Sequence, residues 1–143
     1  MSQTLTLTSP PDRDSLISTL LEITFWTAAW FGIFFLTKIT LAIPAKIAKE
    51  ENPKKREFQI VEYVTNYLSL YHAIFLVLTS SYCFLMFPNV RNRPFTQFEK
   101  FLVKSSLGYF FYDTIIGLKA GVNDIWMNIH HVVMLTSYGQ GLY

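Results

Sequence analysis

The sequence predicts an all-α, polytopic membrane protein with about four transmembrane helices. Three observations carry that expectation. Hydrophobic residues make up 51% of the chain and charged ones only 15%, whereas soluble domains run nearer about a quarter charged. The apolar residues do not alternate with charges but gather into blocks near 16–43, 63–87, 101–118 and 125–142, each close to the ~20 residues that span a bilayer. Ionisable side chains nevertheless sit inside the later blocks, and these are costly unless partnered. A formal charge of +2 argues against nucleic acid as a partner. The single Cys83 excludes a disulfide framework and a cysteine zinc site. No cofactor and no metal are expected.

Residues 1–15 read as a polar arm and 16–143 as the transmembrane domain. The arm lacks the basic start and short apolar core of a secretory signal, and its Ser and Thr leave a mitochondrial destination open. Asp14 or Ser15 suits an N-cap. The first block, 16–43, spans if Glu22 and Lys38 lie near its two faces, with the Lys38 stem snorkelling. Trp26 and Trp30 suit a membrane interface, and Pro44 ends the helix. Residues 45–62 hold five bases and four acids, interleaved. They read as a solvated loop, with a lipid-headgroup contact by Lys54, Lys55 and Arg56 as the sharper alternative.

The second block, 63–87, contains no acid or base apart from His72. A lone histidine in an apolar helix is more often a packing residue hydrogen-bonded to a neighbouring helix than a functional group. Residues 88–100 form a loop. In the third block Ser105, Tyr109 and Asp113 recur every four residues and mark one polar stripe. Gly108 and Gly117 allow close helix approach. Residues 119–124 make a short connection, so the third and fourth helices should be antiparallel neighbours. Counting bases on each side of such a bundle leans slightly to termini outside the cytoplasm.

That hairpin brings Asp113 to a depth similar to that of His130 and His131. A carboxylate beside an imidazole holds its tautomer and stabilises imidazolium, as in general-base pairs; buried in lipid, the two groups also satisfy each other. Adjacent helical residues point about 100° apart. The two histidines therefore either line a wide cavity together or divide, one inward and one packed. Histidines at i and i+1 do not suit a helical zinc site, which favours i and i+4. Asn128, one turn before His131, is placed to orient it. The candidate polar intramembrane or lipid-binding residues are His72, Ser105, Tyr109, Asp113, Asn128, His130 and His131. His130, His131 and Asp113 are the candidate catalytic set if the protein is an enzyme.

GYFFYD at 108–113, a short loop, then NIHHVV at 128–133, with LYHAI at 70–74, resembles the TLC-domain family of multi-pass membrane proteins, which includes the ceramide synthases. The GYFFYD spacing is more similar to the non-synthase members, linked to membrane lipid composition. The resemblance covers residues 57–143. It implies an endoplasmic-reticulum membrane protein with an intramembrane lipid cavity, the mitochondrial inner membrane being the alternative location. In the synthases the paired histidines, matching His130 and His131, serve acyl transfer from acyl-CoA to a sphingoid amine. The family domain continues for several helices beyond the pair, whereas twelve residues follow His131 here. The expectation is therefore a non-catalytic, lipid-associated membrane protein or an accessory subunit of a larger assembly, with membrane lipids and membrane proteins as partners. The alternative is a sphingoid N-acyltransferase completed by further helices or a partner chain.

Overall fold

The structure is a computed structural model that describes residues 13–87, 94–122 and 125–140. All of the described secondary structure is helical. Four long helices, α1 (Arg13–Thr40), α3 (Pro53–Met86), α4 (Gln97–Ala120) and α5 (Ile125–Gln140), are joined by connections that include the single turn α2 (Ala45–Ala48). Most of the expected arm, residues 1–12, lies outside the described residues, as do 88–93 of the loop, the hinge residues 123–124 and 141–143 at the end of the fourth block.

Helix ends follow local chemistry more than hydropathy, and this corrects several expected bounds. Asp14 and Ser15 do not cap α1, because the helix already runs from Arg13. Residues 45–62 are not one loop. The Asn52 side chain accepts from the backbone N–H groups of Lys54 and Lys55, and Pro53 takes the first helical position, where its missing N–H costs nothing. The charged residues after Pro53 thus form the first turns of α3, ten residues before the apolar block begins. In α4, Thr96 and Glu99 make a reciprocal capping box, which starts the helix four residues earlier than expected. Gly121, at φ 70°, closes it in the left-handed conformation.

Two helices are long and apolar enough to cross a membrane, over Ser15–Thr40 and Pro53–Met86. α4 carries Glu99, Lys100, Lys104, Asp113 and Lys119, and α5 has only 16 residues. The large apolar side chains of the two spanning helices mostly face outward, with Ile39 82% and Leu85 76% exposed. Exposed apolar faces of this kind mark contact with lipid or with another protein.

The core sits where α4 meets the other helices. Phe34, Val61, Val64, Leu68, Tyr109, Phe110, Tyr112 and Ile116 form its buried centre. α1 and α4 touch backbone to backbone at Gly108. A Cβ there would come within 2.5 Å of Trp26 Cβ and 2.8 Å of the Thr27 nitrogen, so only glycine fits this crossing. Ion pairs tie α1 to its neighbours, Glu22 to Lys104 of α4 at 2.8 Å and Lys38 to Glu57 of α3. Lys38 and Lys104 therefore end on carboxylates of neighbouring helices. Outside the bundle, Glu50 accepts from Lys55 at 2.6 Å and from the Asn52 N–H. Those contacts hold its carboxyl below the ordinary range.

Trp30 corrects the interface reading. Its ring lies 5.1 Å from Tyr109 and 5.7 Å from His72, and its N–H donates to the Ser105 carbonyl at 3.2 Å. Trp26 packs edge-on against Phe101. A tryptophan can spend its N–H on an α4 carbonyl as well as on a headgroup, and here the helix contact wins.

Candidate functional site

The polar stripe of α4 faces the protein. Ser105, Tyr109 and Asp113 are all buried, and Ser106 beside them is fully enclosed. Each sits toward a different neighbour. The Ser105 carbonyl receives Trp30 of α1. Tyr109 shares a hydrogen bond of 2.7 Å with Ser69 of α3. Asp113 faces α5.

The Gly121 turn folds α5 back along α4 and sets His131 against Asp113. His131 Nε2 lies 3.0 Å from Asp113 Oδ2, and the two residues are 2% and 8% exposed. The other ring nitrogen, Nδ1, lies 3.0 Å from the Thr114 hydroxyl. Thr114 Oγ1 is also 2.7 Å from the Phe110 carbonyl of its own helix.

This geometry places both ring nitrogens within hydrogen-bond distance of a side chain. With Asp113 as carboxylate, it accepts from Nε2–H. The single hydroxyl proton of Thr114 cannot serve both of its neighbours. If it points to the Phe110 carbonyl, Nδ1 carries its own proton and donates to Thr114, and the ring is an imidazolium paired with carboxylate. If it turns to Nδ1, the ring is neutral. Both nitrogens are engaged in either state, and the two states differ by one proton and by the rotation of the Thr114 hydroxyl.

The histidines therefore divide: His131 points inward, and His130 is exposed on the outer side of α5. The His130 ring lies 5.9 Å from that of His131 and 6.2 Å from that of Phe110, and among the described residues it makes no hydrogen bond. Asn128 does not orient His131. Its Oδ1 is buried without a partner among the described residues, and the His131 ring nitrogens face Asp113 and Thr114 instead. Thr114 itself escaped the sequence reading, although its place directly after Asp113 was the available signal.

His72 is buried as a packing residue, but its packing is aromatic. It stacks on Tyr109 with centroids 3.8 Å apart and rings 16° from parallel, and its Nε2 has no hydrogen-bond partner. The expected bond to a neighbouring helix is thus absent at that atom. Tyr109, stacked on His72 and bonded to Ser69, does not reach the His131 ring. Among the described residues no cluster of three metal-ligating side chains occurs.

The main clefts among the described residues, about 300 to 440 Å³ in volume, open between helices, and none is lined by Asp113, His130 or His131. One of about 300 Å³ lies between α3, α4 and α5, walled by Leu76, Phe84, Leu102 and Tyr138 among others. Comparison of the chain with known families, with curated proteins and with solved structures finds no match. The TLC likeness rests on the short motifs alone.

Proposed function

We propose that this chain is a non-catalytic multi-pass membrane protein, either associated with membrane lipid or acting as an accessory structural subunit of a larger membrane assembly. Its four long helices would all lie in the bilayer, with α4 shielded by the other three. The resemblance to non-synthase TLC-domain proteins supports the lipid association and an endoplasmic-reticulum location.

One observation carries the non-catalytic reading. His131, the buried member of the pair, has both ring nitrogens bound to its own protein. A general base must lie within reach of the substrate proton, and this ring is only 2% exposed, closed in by Asp113 and Thr114. Here the ring acts as a bolt between α4 and α5. His130 has a free ring but no carboxylate to orient it, and neither histidine lines a described cleft large enough for an acyl chain.

The test is reconstitution of the purified chain with acyl-CoA and a sphingoid base, followed by mass spectrometry of the lipids. No N-acyl product above the protein-free control is expected. Product that disappears in His131→Ala would overturn this reading in favour of an N-acyltransferase.

A further inference from the structure

A cleft of about 440 Å³ follows the seam between α1 and α3, walled by Trp30, Ile33 and Thr37 of one helix and by Tyr67, Leu68 and Tyr71 of the other. It starts where α1 stops, at Thr40 and Leu41, and reaches inward to Trp30, about 16 Å away at 1.5 Å per residue. Lys38, held by Glu57 of α3, is the neighbour of Thr37 in sequence. A paired charge near a helix end marks the polar edge of a membrane-embedded bundle. The cleft therefore has one end at that edge and the other among apolar side chains.

Its polar groups are hydroxyls, and they are not all spent. Thr40 gives its proton to the Leu36 carbonyl, as Thr27 does to Ile23. Thr37 makes no such bond, nor any other among the described residues. Tyr67 and Tyr71 meet hydroxyl to hydroxyl at 3.2 Å. A phenol carries one proton, so one tyrosine donates to the other and the second keeps its own proton unspent. The side chains of a helix lean toward its N-terminus, which tips both phenols toward the end where α1 stops. Trp30 adds a ring and no donor, because its N–H is given to the Ser105 carbonyl.

We infer that this cleft holds one acyl chain of a membrane glycerolipid, with the ester carbonyl accepting from the Tyr67–Tyr71 pair and from Thr37 and the tail running inward over Ile33 and Trp30. The occupant follows from what the walls lack. Both unspent groups are donors, and an ester carbonyl brings lone pairs with no proton of its own. A tail alone would leave the hydroxyls unserved, at a cost. A headgroup alone would not fill the apolar depth at Trp30. A mostly apolar cleft of about 300–1,000 Å³ with a few placed polar groups is the usual form of a small-molecule site. The inference rests on the membrane-embedded, lipid-associated reading of the chain and gives that association a place away from His131.

The experiment photolabels the full chain in mild detergent with phosphatidylcholine that carries a diazirine in its acyl chain. Unlabelled ester-linked or ether-linked phosphatidylcholine is the competitor. Label should concentrate on the segments 30–41 and 67–71. The ether lipid, which lacks the carbonyl, should compete about fivefold less well, the effect of one hydrogen bond. Tyr67→Phe combined with Tyr71→Phe should abolish the preference for ester over ether, and Ile33→Trp should fill the cleft and remove the label. Equal competition by the two lipids on the wild type, or label spread evenly over the helices, overturns the inference. That wild-type comparison decides even if the variants lose their fold by melting temperature. Alkaline carbonate extraction separates the two failures. A chain released from the membrane refutes the embedded reading, whereas an embedded chain without ester preference refutes only the assignment of the cleft.

Discussion

Asp113 and His131 show how a residue's cost becomes a residue's use. Without His131, Asp113 would lose the ring it pairs with, and without Asp113 the His131 ring would keep only Thr114. Together, with Thr114, they join helices that share little other polar chemistry. Hydrogen bonds between membrane helices average about 0.6 kcal/mol and reach about 1.7, because the unfolded chain also finds partners. An interaction between a carboxylate and an imidazole belongs at the upper end. Asp113→Asn and His131→Ala should each lower stability by about 1–2 kcal/mol, with a coupling of about 1 kcal/mol in the double-mutant cycle. Strictly additive losses, measured by reversible unfolding in mixed micelles, would show that the pair does not act as a unit. That Asp113 and the histidine pair would meet was legible from the short hinge and the helical rise. Which histidine turned inward was not, since residues at i and i+1 differ by a rotation that only the packing of α5 decides. The orphan Nε2 of His72 was equally hidden: stacking on Tyr109 fixes the ring by its faces and leaves an edge unserved.

At the scale of elements, the α1–α4 crossing is the joint most open to test. Gly108 lets the two backbones meet, and the nearest atoms include the Thr27 main chain, which cannot rotate away. Gly108→Ala should force the helices apart and cost about 1–3 kcal/mol, as overpacking does, and Gly108→Leu should prevent folding. The readout is the melting temperature in detergent together with the intrinsic fluorescence of Trp26 and Trp30, which flank the joint. An unchanged melting temperature in Gly108→Ala would show that the crossing is looser than described. Small residues in the third block already pointed to close approach, but the identity of the partner helix did not follow from them. The helix starts at Pro53 and Gln97 were missed for a related reason. Hydropathy marks where a segment turns apolar, whereas Asn52–Pro53 and Thr96 with Glu99 mark where hydrogen bonding begins, and those signals lie outside the apolar blocks.

For the whole molecule, the question is how many helices the bilayer holds. α1 and α3 meet the requirement by length and composition. In the proposed four-span arrangement α4 would join them, its charges partnered by Glu22 for Lys104 and by His131 for Asp113. A hydropathy window counts those charges as unpaired and so undervalues a helix enclosed by others. With four spans, residue 2 and residue 140 lie on one side of the membrane and Lys49 on the other. Glycosylation sites inserted at these three places should report that pattern, the first and last modified together and the middle one not. Modification of residue 2 and Lys49 on the same side would rule out α1 as a span. The all-helical class and the order of the blocks were readable from the sequence, because they depend on composition alone. The division of labour among the helices was not, because α4 is central through contacts that no single segment contains.

The Asn52 cap has a mechanical consequence. It makes α3 one continuous helix of 34 residues, about 51 Å long at 1.5 Å per residue, against a hydrocarbon layer of about 30 Å. In the proposed membrane-spanning arrangement the surplus of about 20 Å would extend beyond that layer as a lever, with Lys54, Lys55 and Arg56 near its tip. A change in tilt of 10° within the bilayer sweeps that tip sideways by about 3–4 Å. Hydrophobic mismatch alters helix tilt, so bilayer thickness becomes a lateral displacement of positive charge outside the membrane. Lys38, bound to Glu57 on the same lever, carries the end of α1 along with it.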